Sequence, residues 1–569
     1  MVSASGLRTV VYVVVGCAAL AAGGCSATYY TEDADREVYE IVADKQDAAL
    51  GRALLFSVEP DKAIQDFFGE VGERAGPRPE AEPEGEPTEA LPEPGPEAIT
   101  ITAADALRLA VLANRDYQTR KETVYLAALT LTFQRYLFRP HPFATGTVDL
   151  ENDQGDRERS FAGTSDLGFS QRLADGALVT ASLGLAALKY INQELGDTLS
   201  STLDFSLQQP LWRGAGRRIV QENLIQSERN TLYAVRTFAR FEKTFAVSVA
   251  TQYLRVLERR QIVLNEWRNY QSLKEGRERA EWLAEADRLP EFQVDQAKQD
   301  ELRAYNSWIV ARESYLNALD NFKLVLGIPV ESPVVLDPKD LERLAPAGLV
   351  EMEPGQADVG VWEAVAKALQ ERLDLANAQE GHEDAERKVV VAEDGLKGDV
   401  DLVASIGYAS GANRGAQSAR LAFHQGDYSI GLEIDLPIDR LSERNALRET
   451  QIDREQAGRA LSLLEDQIVL QVREAYRGLE QSRQSYDIQQ LSVELADRRV
   501  ESTELLLQAG RASQRDVLES RRALVEARNA LTRALVDHTI AGLEFQRDVG
   551  TLVVDQEGQI HGWSLSENP

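Results

Sequence analysis

Cysteine and long apolar runs are scarce in this sequence of 569 residues. Its two cysteines are Cys17 and Cys25, and cleavage before Cys25 would leave a single one. Neither an internal disulfide nor a cysteine-based metal site is then possible. After the N-terminal segment, no stretch approaches the roughly 18–20 apolar residues of a membrane-spanning helix. A chain of this kind that crosses a bilayer beyond its anchor needs β-strands in a closed barrel.

Positive charge and histidine are also scarce. The formal charge is −30, from 62 Lys and Arg against 92 Asp and Glu, which argues against nucleic acid as a partner. Gly381-His382-Glu383 lacks the second histidine of a zinc helix, and Arg213-Gly214-Ala215-Gly216 lacks the lysine of a phosphate loop. The histidines lie far apart without ligand spacing: His141, His382, His424, His538 and His561. We therefore expect no cofactor, no metal site and no catalytic centre.

The N-terminus has the pattern of a secretory signal. Arg8 precedes an apolar core from Val10, and the core ends at Ala22-Gly23-Gly24-Cys25. Small residues directly before a cysteine resemble a bacterial lipoprotein cleavage site, and Ser26 resembles the residue of lipoproteins sent to the outer membrane. This predicts a signal peptide at 1–24 and a covalent lipid on Cys25. An ordinary signal peptide, with Cys25 incidental, is the alternative.

Residues 25–98 are predicted to be a lipid-anchored, acidic N-terminal segment followed by a linker. From Pro77 to Pro96 the chain is dominated by Pro and Glu, a composition that cannot bury a core. The linker would tether the lipid to the folded body. The role of residues 26–76 stays open at this level.

The second half of the chain repeats the first. Gly327 aligns with Gly550 at an offset of 550 − 327 = 223, and Ala106 aligns with Ala364 at 364 − 106 = 258. The offset of 223 also aligns other pairs: Val294 with Val517, Arg288 with Arg511, and Tyr253 with Tyr476. Such self-similarity predicts two copies of one module, at 99–337 and 359–550, with a C-terminal tail at 551–569.

Each copy contains a stretch with strand periodicity, about 143–209 and about 399–436. Apolar residues alternate with polar ones, most clearly from Tyr428 to Ile434. A tilted strand of about 9–11 residues spans a bilayer, so the pattern fits a water-filled barrel. A half-buried sheet in a soluble domain is the alternative. The first copy has an extra hairpin near Leu167 to Leu185, and whether residues 165–190 add strands stays open.

Long helices flank these strands. From Pro437 to Ala509 there is no further proline, which predicts a helix of about 70 residues and on the order of 100 Å. Apolar residues recur at every seventh position, a coiled-coil pattern. One such seam is Val472, Leu479, Tyr486, Val493, Val500 and Leu507, and another is Val517, Leu524, Leu531, His538 and Phe545. Shorter helices are predicted at 102–137, 291–326, 361–394 and 514–549. The predicted class is therefore mainly α, with strands that form either a membrane β-barrel or a half-buried sheet.

The chain resembles the TolC-like outer-membrane efflux family over about 102–550. The resemblance lies in the turn Gln209-Pro210-Leu211-Trp212, its counterpart at Pro437, the twofold repeat, and the helix–helix turn from Ala509 to Glu519. It implies a homotrimer with four strands per chain in one 12-stranded outer-membrane barrel, and a coiled-coil α-barrel tunnel in the periplasm. It also implies a periplasmic adaptor (membrane fusion) protein and an inner-membrane pump as partners.

The resemblance also implies an acidic ring at the tunnel entrance. Asp516 and Glu519 match its two acidic positions, and such rings attract cations. Positions that hold the entrance closed in the family are Leu507, Ala512 and Gln293 here. Arg511 and Arg515 are the expected substitutes for these closing contacts.

Two functions follow from these patterns. The first is a passive export duct in the outer membrane, serving a tripartite efflux or type I secretion system. The alternative is a structural coiled-coil lipoprotein that tethers the outer membrane in the periplasm. Barrel strands at matching places in both repeats favour the duct, since a tether has no use for them. The sequence does not identify the exported substrate.

Overall fold

A computed structural model describes residues 26–53, 56–58, 90–91, 99–153, 158–190, 198–347, 357–410 and 421–561. The predicted signal peptide, Cys25 and most of the Pro/Glu-rich linker lie outside these residues. Among the described helices, none combines the length and the apolar character that are required to cross a membrane.

Helices make up most of the described chain. Their bounds are α1 (Ala27–Leu50), α2 (Ala103–Ala113), α3 (Arg115–Tyr136), α4 (Arg217–Val220), α5 (Glu222–Glu285), α6 (Glu291–Leu326), α7 (Lys339–Ala347), α8 (Ala357–Glu371), α9 (Leu373–Gly395), α10 (Leu441–Gln508) and α11 (Gln514–Val549). The strands are β1 (Ile99–Ile101), β2 (His141–Asp153), β3 (Glu158–Arg172), β4 (Leu178–Tyr190), β5 (Thr198–Pro210), β6 (Val334–Leu336), β7 (Asp399–Ser410) and β8 (Leu421–Asp435). The predicted long helix after Pro437 is thus confirmed as α10.

The chain divides into two compact units, and each draws on both repeats. The first unit consists of the described residues within Met1–Phe56, Thr123–Val235 and Asn377–Leu461. The second consists of the described residues within Ser57–Glu122, Arg236–Ala376 and Ser462–Pro569. The residues of each repeat are therefore shared between the two units.

The first unit contains one antiparallel sheet in the order β2-β3-β4-β5-β7-β8. The predicted strand regions of both copies are confirmed. The extra hairpin becomes β3 and β4, which pair with each other and with the strands on either side. The sheet thus has six strands, two more than the resemblance implies for one chain, because the first repeat supplies two hairpins and the second only one.

A helix at the N-terminus also belongs to the first unit. Ser26 caps α1, and its buried residues are Val38, Ile41, Val42 and Gln46. Lys45 Nζ lies 2.5 Å from Glu228 Oε2, and the Tyr125 hydroxyl donates to Asp35 at 2.6 Å. The segment whose role the sequence left open is therefore a packed helix over Ala27–Leu50, held by an apolar stripe and polar contacts.

In the second unit, each repeat has a helix break at an equivalent place. The predicted helices 102–137 and 361–394 are interrupted at Asn114 and Arg372, which lie 372 − 114 = 258 residues apart. Asn114 Nδ2 donates to the Val325 carbonyl at 2.7 Å, and Arg372 Nη1 lies 3.5 Å from the Asp548 carbonyl. Both side chains thus bond to a carbonyl near the end of the neighbouring long helix, where carbonyls lack intrahelical partners.

A glycine completes each of these junctions. Gly327 and Gly550 are left-handed C-caps with φ of 78° and 91°, a conformation that favours glycine. A Cβ on Gly327 would lie 2.3 Å from the Ala113 carbonyl oxygen, and one on Gly550 would lie 3.2 Å from Glu371 Cβ. The aligned glycines of the sequence therefore permit close approach to the preceding helix as well as the turn.

The core of the second unit joins both repeats and the tail. Parallel strands β1 and β6 pair from Ile99 with Val334 to Ile101 with Leu336. Leu552 and Ile560 of the tail are buried in the same cluster. The predicted sevenfold seams are also largely buried, including Val472, Leu479, Tyr486, Val517 and Leu524. The small residues Ser520, Ala527 and Ala534, which lie beside a seam on α11, are buried as well. Small residues at such positions let helices approach closely.

Candidate functional site

The turn between α10 and α11 is the site singled out by the sequence. Gly510 has φ of 67°, which a residue with a side chain rarely adopts. The Arg511 amide donates to the Leu506 carbonyl at 2.8 Å, and the Gly510 amide donates to Leu507 at 3.0 Å. These bonds satisfy the last carbonyls of α10, so the chain reverses tightly before α11 begins.

Asp516 is exposed, and its carboxylate also accepts the hydrogen bonds that begin α11. The Ser513 amide and hydroxyl donate to Asp516 Oδ2 at 2.8 and 2.7 Å, while the Asp516 amide donates back to Ser513 Oγ at 3.3 Å. This reciprocal pair is a capping box that begins α11. The hydrogen bonds from Ser513 lower the pKa of Asp516, so its carboxylate stays charged.

Glu519 lies one turn further along α11 and is also exposed. Its Oε1 is 3.2 Å from Arg499 Nη2 of α10, a partner that the sequence did not suggest. Asp516 and Glu519 are three residues apart and so share a helix face. The turn therefore presents two exposed carboxylates, one held by a cap and the other beside an arginine.

The residues predicted for the entrance-closing contacts lie in or beside the two helix–helix turns. Arg511 and Arg515 are both exposed, and neither makes an ion pair with a residue that the structure describes. Leu507 and Ala512 are half-buried near the turn. Gln293 lies in the first turn of α6, where its amide donates to the Pro290 carbonyl at 3.0 Å.

Arg521 is a site residue that sequence reasoning missed. Its Nε and Nη2 donate to Glu504 Oε1 of α10 at 3.0 and 2.7 Å. Its Nη1 donates to the Ser272 carbonyl of α5 at 3.3 Å and to the Ser272 hydroxyl. Arg521 therefore ties α11 to one helix of each repeat. No local signal reveals this contact, because Ser272 is 249 residues away in the chain.

A second arginine links the helix pair of the first repeat. Arg277 of α5 lies 2.6 Å from Glu301 of α6 and 2.6 Å from Glu281 of its own helix. The hydrogen bond that Arg277 donates to Glu281 is the largest effect that raises the pKa of Arg277. Each helical hairpin thus has a cross-helix ion pair near its turn, built by Arg277 in the first repeat and Arg521 in the second.

The repeat turn motifs lie where the sheet ends. Gln209 and Pro210 are the last residues of β5, and Gln209 Nε2 donates to the Pro210 carbonyl at 2.9 Å. Leu211 and its neighbour Trp212 are exposed, as are the residues that flank Pro437 after β8. The motifs therefore mark the strand ends, with apolar side chains left on the surface.

His538 behaves as a packed residue. It is buried, and its Nδ1 lies 3.1 Å from the Ser482 hydroxyl. Burial lowers its pKa, so the ring stays neutral. Among the described residues there is no group of three or more His, Cys, Asp and Glu side chains that could hold a metal ion.

Comparisons with known proteins agree with this architecture. Residues 364–547 match the family model for outer membrane efflux protein. No curated protein matches the chain in sequence. Several solved structures share the fold, with sequence identities too low to show more than that.

The CmeC outer membrane channel of Campylobacter jejuni has a TM-score of 0.57 and 13% identity, with 79% of this chain and 85% of that chain covered. VceC of Vibrio cholerae has a TM-score of 0.54 and 14% identity, covering 79% and 96%. The open state of the MtrE outer membrane channel of Neisseria gonorrhoeae has a TM-score of 0.52 and 15% identity, covering 79% and 88%. The chain thus has the fold of these channels, and its residues 364–547 match the outer membrane efflux protein family.

Proposed function

We propose that this chain is the outer-membrane duct of a tripartite efflux or type I secretion system. It gives cargo a hydrated path through the membrane and catalyses no reaction. The observation that best supports this function is the exposed apolar face of the six-stranded sheet. The remaining parts of the proposal, which are the trimer, the partners and the lipid, are argued separately below.

One face of the sheet consists of exposed apolar side chains, an arrangement that is unfavourable in water. Tyr428 is 83% exposed and Ile430 is 78% exposed, and both lie on β8. Leu432 and Ile434 continue the same face. A contiguous apolar patch of this kind marks a surface that contacts lipid or another protein. Ser429, between the two, faces the other side and hydrogen-bonds to Ser405 at 2.8 Å.

This alternation gives a sharp test of membrane insertion. Ile430→Lys places a charge on the proposed lipid face, which costs about 2–4 kcal/mol near the bilayer midplane. Ser429→Lys, one residue away, places the same charge on the proposed water-filled side and is the matched control. We expect Ile430→Lys to lose heat-stable insertion into lipid vesicles and Ser429→Lys to retain it. Equal behaviour of the two variants would favour the structural tether instead.

For the assembly, we infer a homotrimer that docks to a periplasmic adaptor and an inner-membrane pump. The similarity of fold to known efflux channels supports this inference. In a trimer, Asp516 and Glu519 from each copy would form an acidic ring at the tunnel entrance. Electron-microscope class averages of the detergent-extracted protein test it: threefold hollow particles are expected, and solid rods or compact monomers would contradict it.

For the anchor, we infer a covalent lipid on Cys25. The support is the small-residue sequence that precedes it and the position of α1, which begins at Ala27 and packs on the first unit. Labelled palmitate should be incorporated into the expressed protein and lost in Cys25→Ser. Undiminished labelling of that variant would contradict the assignment.

A further inference from the structure

We propose that three copies of this chain close a barrel of 18 strands, wider than the 12-stranded barrel expected from the family resemblance. The count follows from six strands in each of three copies, 6 × 3 = 18. This inference rests on the threefold assembly of the proposed function. Its consequence is a duct mouth that admits bulkier solutes than a 12-stranded barrel does.

The additional hairpin is an integral part of the sheet. β3 pairs with β4 without interruption from Ser160 with Tyr190 to Arg172 with Leu178. β3 also pairs along its length with β2, and β4 pairs with β5. Both strands thus lie inside the ladder, with hydrogen-bonded neighbours on each side. An exposed loop, the alternative for residues 165–190, would not be paired in this way.

The turn of this hairpin is fixed to the turn that follows β5. The Gly216 amide donates to the Asp175 carbonyl at 3.1 Å. Gly176 has φ of 103°, and a Cβ there would lie 2.9 Å from Pro210 Cγ. Ala177 beside it is almost completely buried. The turn of the additional hairpin therefore packs against the turn motif that follows β5.

The hairpin also continues both faces of the sheet. Two rows of paired residues cross all six strands. The apolar row is Pro142, Phe169, Ala181, Phe205, Ile406 and Tyr428. The adjacent row is Phe143, Gly168, Ser182, Asp204, Gly407 and Asp427. Residues of β3 and β4 keep the same alternation as the other strands. The apolar face toward lipid and the more polar face toward water would therefore both continue across all six strands.

The two edges of the sheet favour closure by further copies. Within the described residues, β2 and β8 each pair on one side only. Six strands are fewer than the eight or so of the smallest membrane barrels, so one copy does not suffice. Because the number of strands is even, β2 and β8 run antiparallel to each other. The β8 edge of one copy therefore fits the β2 edge of the next in an unbroken antiparallel barrel.

The width follows from strand geometry. With strands about 4.8 Å apart and tilted by about 40°, 18 strands give a backbone diameter of about 36 Å. Twelve strands under the same assumptions give about 24 Å. The cross-sectional area enclosed by the backbone thus rises by about 2.3-fold.

Electron microscopy of the full-length protein tests the strand number directly. The protein is reconstituted in nanodiscs of phosphatidylethanolamine and phosphatidylglycerol, and the ring is measured in the plane of the membrane. We expect threefold particles with 18 strands and a diameter of about 36 Å. A trimer with a ring of about 24 Å overturns this inference and leaves the duct intact. A closed dimer also overturns it, and particles without a ring contradict the duct as well.

A deletion variant provides a second measurement. Removing Glu158–Tyr190 takes out β3 and β4 and leaves β2 beside β5. Thr145 and Thr202 would then face each other, and both belong to the same row in the present sheet, so the alternation is preserved. The ring of the variant should shrink by about 1.5-fold with three copies retained. An unchanged diameter would show that the hairpin lies outside the barrel.

Discussion

Replacing Arg521 by alanine should loosen the closed state of the tunnel entrance. Arg521 donates to Glu504 of α10 and to Ser272 of α5. Arg521 thereby joins the part of α11 near the turn to one helix from each repeat. In the proposed duct, separation of these helices widens the entrance, so the loss of Arg521 favours the open state.

The size of the effect can be worked from the contact. Hydrogen bonds to charged groups contribute about 1.5–3 kcal/mol when they are well shielded. The Arg521 and Glu504 side chains are 28% and 39% exposed, so solvent screening reduces the contribution to about 1–2 kcal/mol. If the contact exists only in the closed state, its removal raises the ratio of open to closed channels by about 5–30-fold.

Single-channel recording in planar bilayers measures this ratio as the open probability. Arg522→Ala is the matched control, because Arg522 pairs only with Glu526 of the same helix among the described residues, at 3.0 Å. That ion pair is exposed and does not join two helices. Glu504→Ala should reproduce the effect of Arg521→Ala, and the double variant should add little, since both changes remove one interaction.

The reasoning is refuted if Arg521→Ala and Arg522→Ala have the same open probability. It is also refuted if the effects of Arg521→Ala and Glu504→Ala are fully additive, because the two side chains would then act independently. A stable trimer in both single variants is the condition for the comparison, and size-exclusion chromatography establishes it.

Three further predictions concern other residues. Asp516→Asn with Glu519→Gln should lower the permeability of K⁺ relative to Cl⁻ by at least about twofold in reversal-potential measurements, whereas the exposed, arginine-paired Glu526→Gln should leave it unchanged. Arg372 has a side chain only 1% exposed and paired with a carboxylate, so Arg372→Ala should reduce the free energy of unfolding in urea by about 3–5 kcal/mol, and a loss below 1 kcal/mol would contradict this. Burial lowers the pKa of His538 below the ordinary histidine value of 6.5, so below that pH the unfolded chain binds a proton that the folded chain does not, and stability falls. His538→Gln should flatten this decline in thermal melts between pH 7 and pH 5, and an unchanged slope would show that His538 is not responsible.

Local periodicity in the sequence predicted the element types correctly. Alternation from Tyr428 to Ile434 marks β8, and the sevenfold spacing through Val472 and Leu479 marks the buried seam of α10. These patterns are visible because the two sides of one element meet different surroundings. The aligned glycines Gly327 and Gly550 were found for a similar reason, since a left-handed C-cap requires the same residue in both copies.

The helix breaks show what such patterns miss. Asn114 and Arg372 occupy equivalent positions and donate to equivalent carbonyls, yet they share no residue type. An alignment by identity does not pair them, and neither is a proline or glycine that would end a helix by its backbone. The break is visible only when the neighbouring helix end, with its unpaired carbonyls, is in place.

By itself, the sequence determined the twofold repeat, the division into strands and long helices, and the acidic turn at Asp516 and Glu519. Each of these depends on residues that are near in the chain or aligned between the copies. Only the tertiary structure decided that the additional hairpin joins the sheet as β3 and β4, that α1 packs on the first unit, and that Arg521 reaches Ser272. Those outcomes depend on hydrogen bonds and ion pairs between residues that are far apart in the chain. Local sequence patterns do not specify which distant groups come into contact.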